Sequence, residues 1–150
     1  HGATVILNPA PDTKQQLPPE LLAHVDILIP NQTEAELISG TAVNDYESAA
    51  AAAGKIGQMG VRTVINTMGA HGVFVNDSES GNSEIIVAKR VKATDTTAAG
   101  DCFCGALSVA LNEGRPLNEA LDFANRAAAI SVTRRGAQPS LPYLHEMSTR

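Results

Sequence analysis

Asp101 follows three residues with almost no side chain, Ala98, Ala99 and Gly100. The surrounding stretch, Ala93-Thr-Asp-Thr-Thr-Ala-Ala-Gly-Asp-Cys-Phe-Cys-Gly-Ala-Leu107, reads as a strand end, a small-residue turn and the start of a helix. In a first helical turn the backbone N–H groups have no intrahelical partner, and together with the helix dipole they favour an anion. The missing side chains would let a phosphate oxygen approach the backbone. A carboxylate beside such a site has a use: it can take a proton from a hydroxyl that attacks a phosphorus held by the N–H groups. That is phosphoryl-transfer chemistry. Asp101 taken alone is also an ordinary acid for a first helical turn; the small-residue run favours the chemical reading.

Such a turn needs a scaffold, and the composition allows one. The chain has 150 residues, 43% of them hydrophobic, enough for one domain with a real core. Aromatics make up 3% and Trp is absent, so Ala, Val, Ile and Leu must fill that core. Few aromatics, a net charge of -5 and no basic run argue against nucleic acid or an anionic membrane as partner. No apolar run approaches the ~20 residues of a membrane span, and no signal peptide is evident. Cys102 and Cys104 stand two apart on the expected helix, cannot pair with each other and read as small packing residues. Without a disulfide framework the expected compartment is the cytoplasm.

Strand and helix signals alternate. Residues 3–7, 25–29, 61–65, 73–75 and 84–88 are short apolar runs with strand character. The first is closed by the loop Asn8-Pro-Ala-Pro-Asp12 and the second by Pro30. Residues 17–24 read as a short helix with Pro in its first turn. Thr33 with Glu36 predicts a capping box for the helix after Asn31, and Gly40 predicts its stop. An Ala-rich helix is expected over 48–59. Phe103, Ala106, Leu107, Ala110 and Leu111 share one helical face, ended by Gly114 and Pro116. A second stripe from Leu117 through Ser131 is expected to run to Gly136, with Arg134 and Arg135 at its negative end. The alternation predicts an α/β domain with a largely parallel sheet; the 73–75 and 84–88 strands, joined by a polar loop, are expected to pair antiparallel. In open α/β sheets ligands bind beyond the carboxyl ends of strands. Asn31, Thr67 and the 96–101 turn are expected to converge there.

Other chemistries have little support. There is no G-x-x-x-x-G-K-[ST] loop, no G-x-G-x-x-G after the first strand and no G-x-S-x-G elbow. His24 and His71 read as solvated side chains, and Arg62, Arg134 and Arg135 as surface charges.

Taken together the motifs point to a family. Asp95-Thr-Thr-Ala-Ala-Gly-Asp-Cys-Phe-Cys-Gly-Ala-Leu107 resembles the second signature of the ribokinase family of sugar kinases, also called the PfkB family. Asn8-Pro-Ala-Pro11, Pro30-Asn-Gln-Thr-Glu34, Thr67-Met-Gly-Ala-His-Gly72 and Gly136-Ala-Gln-Pro-Ser140 stand in the family's order, so the resemblance covers the whole chain. The last of these, with N-P-A-P, is closer to the kinases of ribose than to those of adenosine or fructose.

The resemblance implies a layered α/β/α fold and an ATP-dependent phosphorylation of a sugar's primary hydroxyl, D-ribose to D-ribose 5-phosphate. It makes Asp101 the catalytic base at the sugar hydroxyl, and Ala98, Ala99 and Gly100 the anion hole. It assigns Asn31 and Glu34 to the triphosphate and its Mg²⁺, Glu34 through water. It assigns Thr67, Met68, Gly69, Ala70, His71 and Gly72 to a loop that contacts ATP, and Asn125 to the vicinity of the adenine. It adds a K⁺ held by oxygens of Asp95, Thr97, Ser131, Arg134, Gly136 and Ser140, several through backbone carbonyls. The matched region is the nucleotide-binding, C-terminal half of the family pattern. Residues 1–150 are thus expected to form a partial domain without the sugar-binding half and lid, inactive by itself. The intact parent is expected to be a homodimer through that lid. The alternatives are a non-catalytic nucleotide-binding fragment and a kinase of fructose, 2-keto-3-deoxygluconate or adenosine.

Overall fold

The computed structural model describes residues 2–9 and 17–148. Ala10, Pro11 and Asp12 of the expected first loop, and His1, lie outside the described residues. The chain divides into two compact units, His1–Gly69 with Val73–Ile85, and Ala70–Gly72 with Ile86–Arg150.

The strands come from the short apolar runs. They are β1 (Ile6–Leu7), β2 (Ile27–Leu28), β3 (Thr63–Thr67), β4 (Val73–Asp77) and β5 (Ser83–Ile86). They form one five-stranded sheet in the order β1-β2-β3-β4-β5. β1, β2 and β3 run parallel, with Ile6 beside Ile27 and Leu28 beside Val64. The first two strands are short, but bonds beyond them extend the ladder: Ile27 donates to Val5 O (3.1 Å) and Ile29 to Leu7 O (2.8 Å). β3 runs two residues past its expected end, because Asn66 and Thr67 pair with Phe74 and Val73 across β4. That β3–β4 pair is antiparallel, as a connection too short for a crossover demands. β4 and β5 are neighbours, in line with the loop that joins them.

The helices of the first unit are α1 (Pro19–Leu22), α2 (Gln32–Ser39) and α3 (Tyr46–Gln58). α3 turns Ala49, Ala52, Ala53 and Ile56 inward, each wholly buried. They join Leu28, Val64, Phe74 and Ala35 in a core built almost without aromatics. With so many alanines the helix can lie close to the strands, and its stability comes from this buried face more than from propensity. Asp45 caps α3: its carboxylate accepts from Ser48 N–H (2.9 Å) and Ser48 Oγ (2.6 Å). These bonds, the hydroxyl's first, lower the Asp45 pKa below its ordinary 3.8. A depressed carboxyl contributes stability above its unfolded pKa and loses it as pH falls through the folded value. Asp45→Asn is therefore expected to flatten the acid side of the stability profile below about pH 4, followed by urea unfolding across pH, its loss of stability being largest at neutral pH and vanishing once Asp45 itself would be protonated.

The second unit contains α4 (Ala99–Asn112) and α5 (Leu117–Ser131), which pack on each other. Cys102, Ala127 and Met147 are buried in one cluster with Ala106, Phe123 and Ile130 against it. Cys102 and Cys104 form no disulfide, and burial pushes the Cys102 thiol up. Two expectations fail here. α5 stops at Ser131 instead of running to Gly136, because Val132 O accepts from Thr94 (2.7 Å) and Asp95 (3.1 Å) and the chain turns away. No strand precedes the 96–101 turn: those same N–H groups find Val132 O in place of a neighbouring strand, and β5 ends at Ile86. Among the described residues no helix is long and apolar enough to cross a membrane.

Candidate active site

The start of α4 is built by its own residues. Ala98 is the N-cap, at φ 59°, ψ 17°, in the left-handed region. Among the described residues it alone takes a positive φ without being glycine. That conformation costs an L-residue about 1–2 kcal/mol, and such strain tends to collect at working sites. Ala99 N–H donates to Thr96 O (3.2 Å) and Cys102 N–H to Ala98 O (2.9 Å). The N–H groups of Ala98, Gly100 and Asp101 have no hydrogen-bond partner among the described residues. Asp101 is exposed, and no hydrogen bond or ion pair engages its carboxylate there. The result is a group of open backbone donors with an unengaged carboxylate beside them.

Asp95 fixes the turn from below. Its Oδ1 accepts from Thr97 N–H (2.9 Å) and Thr97 Oγ1 (2.6 Å), and its Oδ2 from Gly136 N–H (2.9 Å). These donors, the Thr97 hydroxyl first, hold its pKa down to about 2. Thus Asp95, Thr97 and Gly136 meet, across 41 residues of chain. Ser140 and Ser131 are buried, their hydroxyls donating to Ala137 O (2.6 Å) and Ala128 O (2.9 Å). Arg134 extends to Glu146, in what the sequence reads as a plain tail. Asn125 is buried, and its amide donates to Val87 O (3.0 Å).

In the first unit Asn31 and Thr67 sit side by side just past β2 and β3, joined as a parallel bridge. Thr67 N–H donates to Pro30 O (2.9 Å). The capping box of α2 is not Thr33 with Glu36. It is Asn31 with Glu34: Asn31 Oδ1 accepts from Glu34 N–H (2.9 Å), and Glu34 Oε2 accepts from Asn31 N–H (2.8 Å). The helix begins two residues earlier because Asn31, extended at φ -81°, is already the N-cap, and Gly40 closes it at φ 67°. Glu34 is buried, and that burial raises its pKa against the opposing bond from Asn31. Its second oxygen has no hydrogen bond among the described residues. Asn31→Ala is expected to cost about 1–2 kcal/mol, measured by urea denaturation, since it removes the cap of a helix whose acid is buried.

The Thr67–Gly72 motif forms a tight turn, with a 3-10 segment at Gly69–His71. Met68 is 2% exposed, so its side chain belongs to the core. His71 is exposed. Among the described residues no three His, Cys, Asp or Glu side chains gather as a metal cluster.

The chain is a mixed α/β protein, with an exposed acid in the first turn of α4 in one unit and an Asn31–Glu34 capping box just past β2 in the other. The sequence pattern described as pfkB family carbohydrate kinase matches residues 1–144, and the chain belongs to that family. It is similar to the ribokinase of Haemophilus influenzae, 49% identical over 146 residues, which are 97% of this chain and 46% of that protein. The ribokinase of Staphylococcus aureus is 43% identical over 149 residues, 99% of this chain and 48% of that one. The structure of Arabidopsis thaliana ribokinase complexed with ribose and ATP matches with a TM-score of 0.90 at 32% identity, covering 99% of this chain and 49% of that one. The chain spans about half the length of the relatives it matches.

Proposed function

We propose that the chain supplies the phosphate-handling half of an ATP-dependent sugar kinase. The reaction is transfer of the γ-phosphoryl group to the primary hydroxyl of a sugar, D-ribose foremost, giving D-ribose 5-phosphate. One observation carries the reading: at the start of α4 an exposed, unpartnered carboxylate stands among N–H groups that donate to nothing else among the described residues. In this role Asp101 accepts the proton of the attacking hydroxyl. The N–H groups of Ala98, Gly100 and Asp101 hold the charge that builds on the phosphoryl oxygens. The unstrained alternative for Ala98 would aim those donors elsewhere, which gives its left-handed backbone a purpose.

The remaining assignments follow the same chemistry. Asn31 and Glu34 serve the triphosphate and its Mg²⁺, and Glu34 keeps one oxygen free to hold a metal-bound water. Mg²⁺ supplies charge neutralisation when bound. The 67–72 turn and Asn125 belong to the nucleotide. K⁺ is assigned to the Asp95–Thr97 turn and the stretch that Gly136 joins to it, from Ser131 at the end of α5 through Arg134 and Gly136 to Ser140. Two cysteines outside any disulfide suit a reducing cytoplasm.

The test is ATP-dependent phosphorylation by the full-length protein that carries this chain. Substrates are D-ribose, 2-deoxyribose, fructose, 2-keto-3-deoxygluconate and adenosine, each with and without K⁺. The expected result is the highest kcat/KM for D-ribose. If none is phosphorylated while calorimetry still detects ATP·Mg²⁺ binding to this chain, the protein is a nucleotide-binding module and not a kinase.

A further inference from the structure

Among the described residues the 98–101 turn makes no hydrogen bond to the segment 143–148, yet that segment packs on Cys102 and pairs with Arg134 within the second unit. The 3-10 segment Leu144–Ser148 places Met147 in the buried cluster with Cys102, the residue after Asp101. One residue earlier, Glu146 takes both terminal nitrogens of Arg134: Nη1 donates to Oε2 (3.3 Å) and Nη2 to Oε1. The Glu146 carboxylate also accepts from Tyr143 N–H (2.7 Å), so its position is set by its own segment. Arg126 adds a further tie by donating to Met147 O.

Arg134 lies in the turn that follows α5, and that turn is what holds Asp95. Val132 O, two residues before Arg134, accepts from Thr94 and Asp95 N–H; Gly136 N–H, two residues after it, donates to Asp95 Oδ2. Asp95 in turn holds Thr97, and Thr97 precedes the left-handed Ala98. We propose that the Arg134–Glu146 pair is a positioning clamp for the 98–101 turn. It sets the 132–136 turn, which sets Asp95, which sets the direction of the N–H groups and of Asp101. Both charged side chains are only about a third exposed or less, 33% for Arg134 and 28% for Glu146. The fork-to-fork geometry fixes direction as well as distance, which a single point charge would not. The inference rests on reading residues 98–101 as the catalytic turn.

The test uses the full-length protein with Arg134→Gln, Glu146→Gln, the double variant and the exchanged pair Arg134→Glu/Glu146→Arg. Turnover with D-ribose and ATP is measured beside backbone amide exchange at Gly136 and Thr97. Each single variant is expected to lower kcat about tenfold with KM for ribose little changed, as a small misplacement of a reacting group does. The double variant should be no slower than the singles, and the exchanged pair should recover part of the loss. Exchange at Gly136 and Thr97 should quicken in the singles, while amides of α3 stay as they were. Single variants with kcat and Gly136 exchange both within about twofold of the starting protein would overturn the clamp. So would losses that add up in the double variant, because independent sites add and a pair does not. If the unsubstituted protein phosphorylates no sugar, the proposed reaction fails, and the amide exchange decides the clamp without it.

Discussion

Replacing Asp101 by Asn is expected to slow phosphoryl transfer by about 10²–10⁴-fold, the range for losing a general base. The amide has nearly the shape of the carboxylate but cannot accept the proton of the attacking hydroxyl. KM for sugar and nucleotide should move little, because the N–H groups proposed to receive the phosphate belong to the backbone and stay in place. The fold should tolerate the change. Asp101 is exposed and makes no hydrogen bond or ion pair among the described residues, so the loss is about 0.3–1 kcal/mol of helix-dipole interaction. Steady-state release of ADP by the full-length protein reads the effect, with thermal unfolding as the control. A variant that turns over within about threefold of the original would remove Asp101 from the role of base.

The second large effect is structural. Gly72→Ala is expected to destabilise by roughly 2–5 kcal/mol, the sum of left-handed strain and overpacking. Gly72 stands at φ +98°, and a Cβ there would lie 2.0 Å from Ile86 O, 2.6 Å from Ala88 N and 2.9 Å from Val87 C. All three are backbone atoms of one neighbouring segment, so no rotamer change relieves the clash. Gly69→Ala is the matched comparison. Gly69 also has a positive φ, +55°, but open space around its Cβ position, so only the strain of about 1–2 kcal/mol applies. Urea denaturation of both variants separates the terms; equal midpoints would show that the close approach at Gly72 carries no energy.

Much of the candidate site was legible because its causes are local. Three small residues before an acid, at a turn into an apolar-striped helix, were enough to expect open N–H donors beside Asp101. Pro30 and Asn31 marked the end of one strand and the start of the next helix, and Gly40 its stop. The capping box was misassigned by two residues because Thr33 and Asn31 are both plausible caps, each with a glutamate three positions on. Which one adopts the extended N-cap backbone depends on where β2 delivers the chain, and Asn31 is bound to Thr67 at that point.

The sequence by itself determined the α/β class, the small-aliphatic core, the small-residue turn into α4 with Asp101 in its first turn, and the Asn31–Glu34 spacing. Each follows from residue type and period within a few positions, where backbone geometry leaves little choice. Only the tertiary structure decided that Ala98 takes the left-handed backbone, that α5 ends at Ser131, and that Asp95 is held by Gly136 and Arg134 by Glu146. Those bonds join residues far apart in the chain, and a hydrogen bond exists only where packing brings donor and acceptor within about 3 Å. The acid at Asp101 was readable in its turn; the contacts that tie Asp95 to Gly136 and Arg134 to Glu146 became visible only once the turn after α5 and the 3-10 segment Leu144–Ser148 were in place.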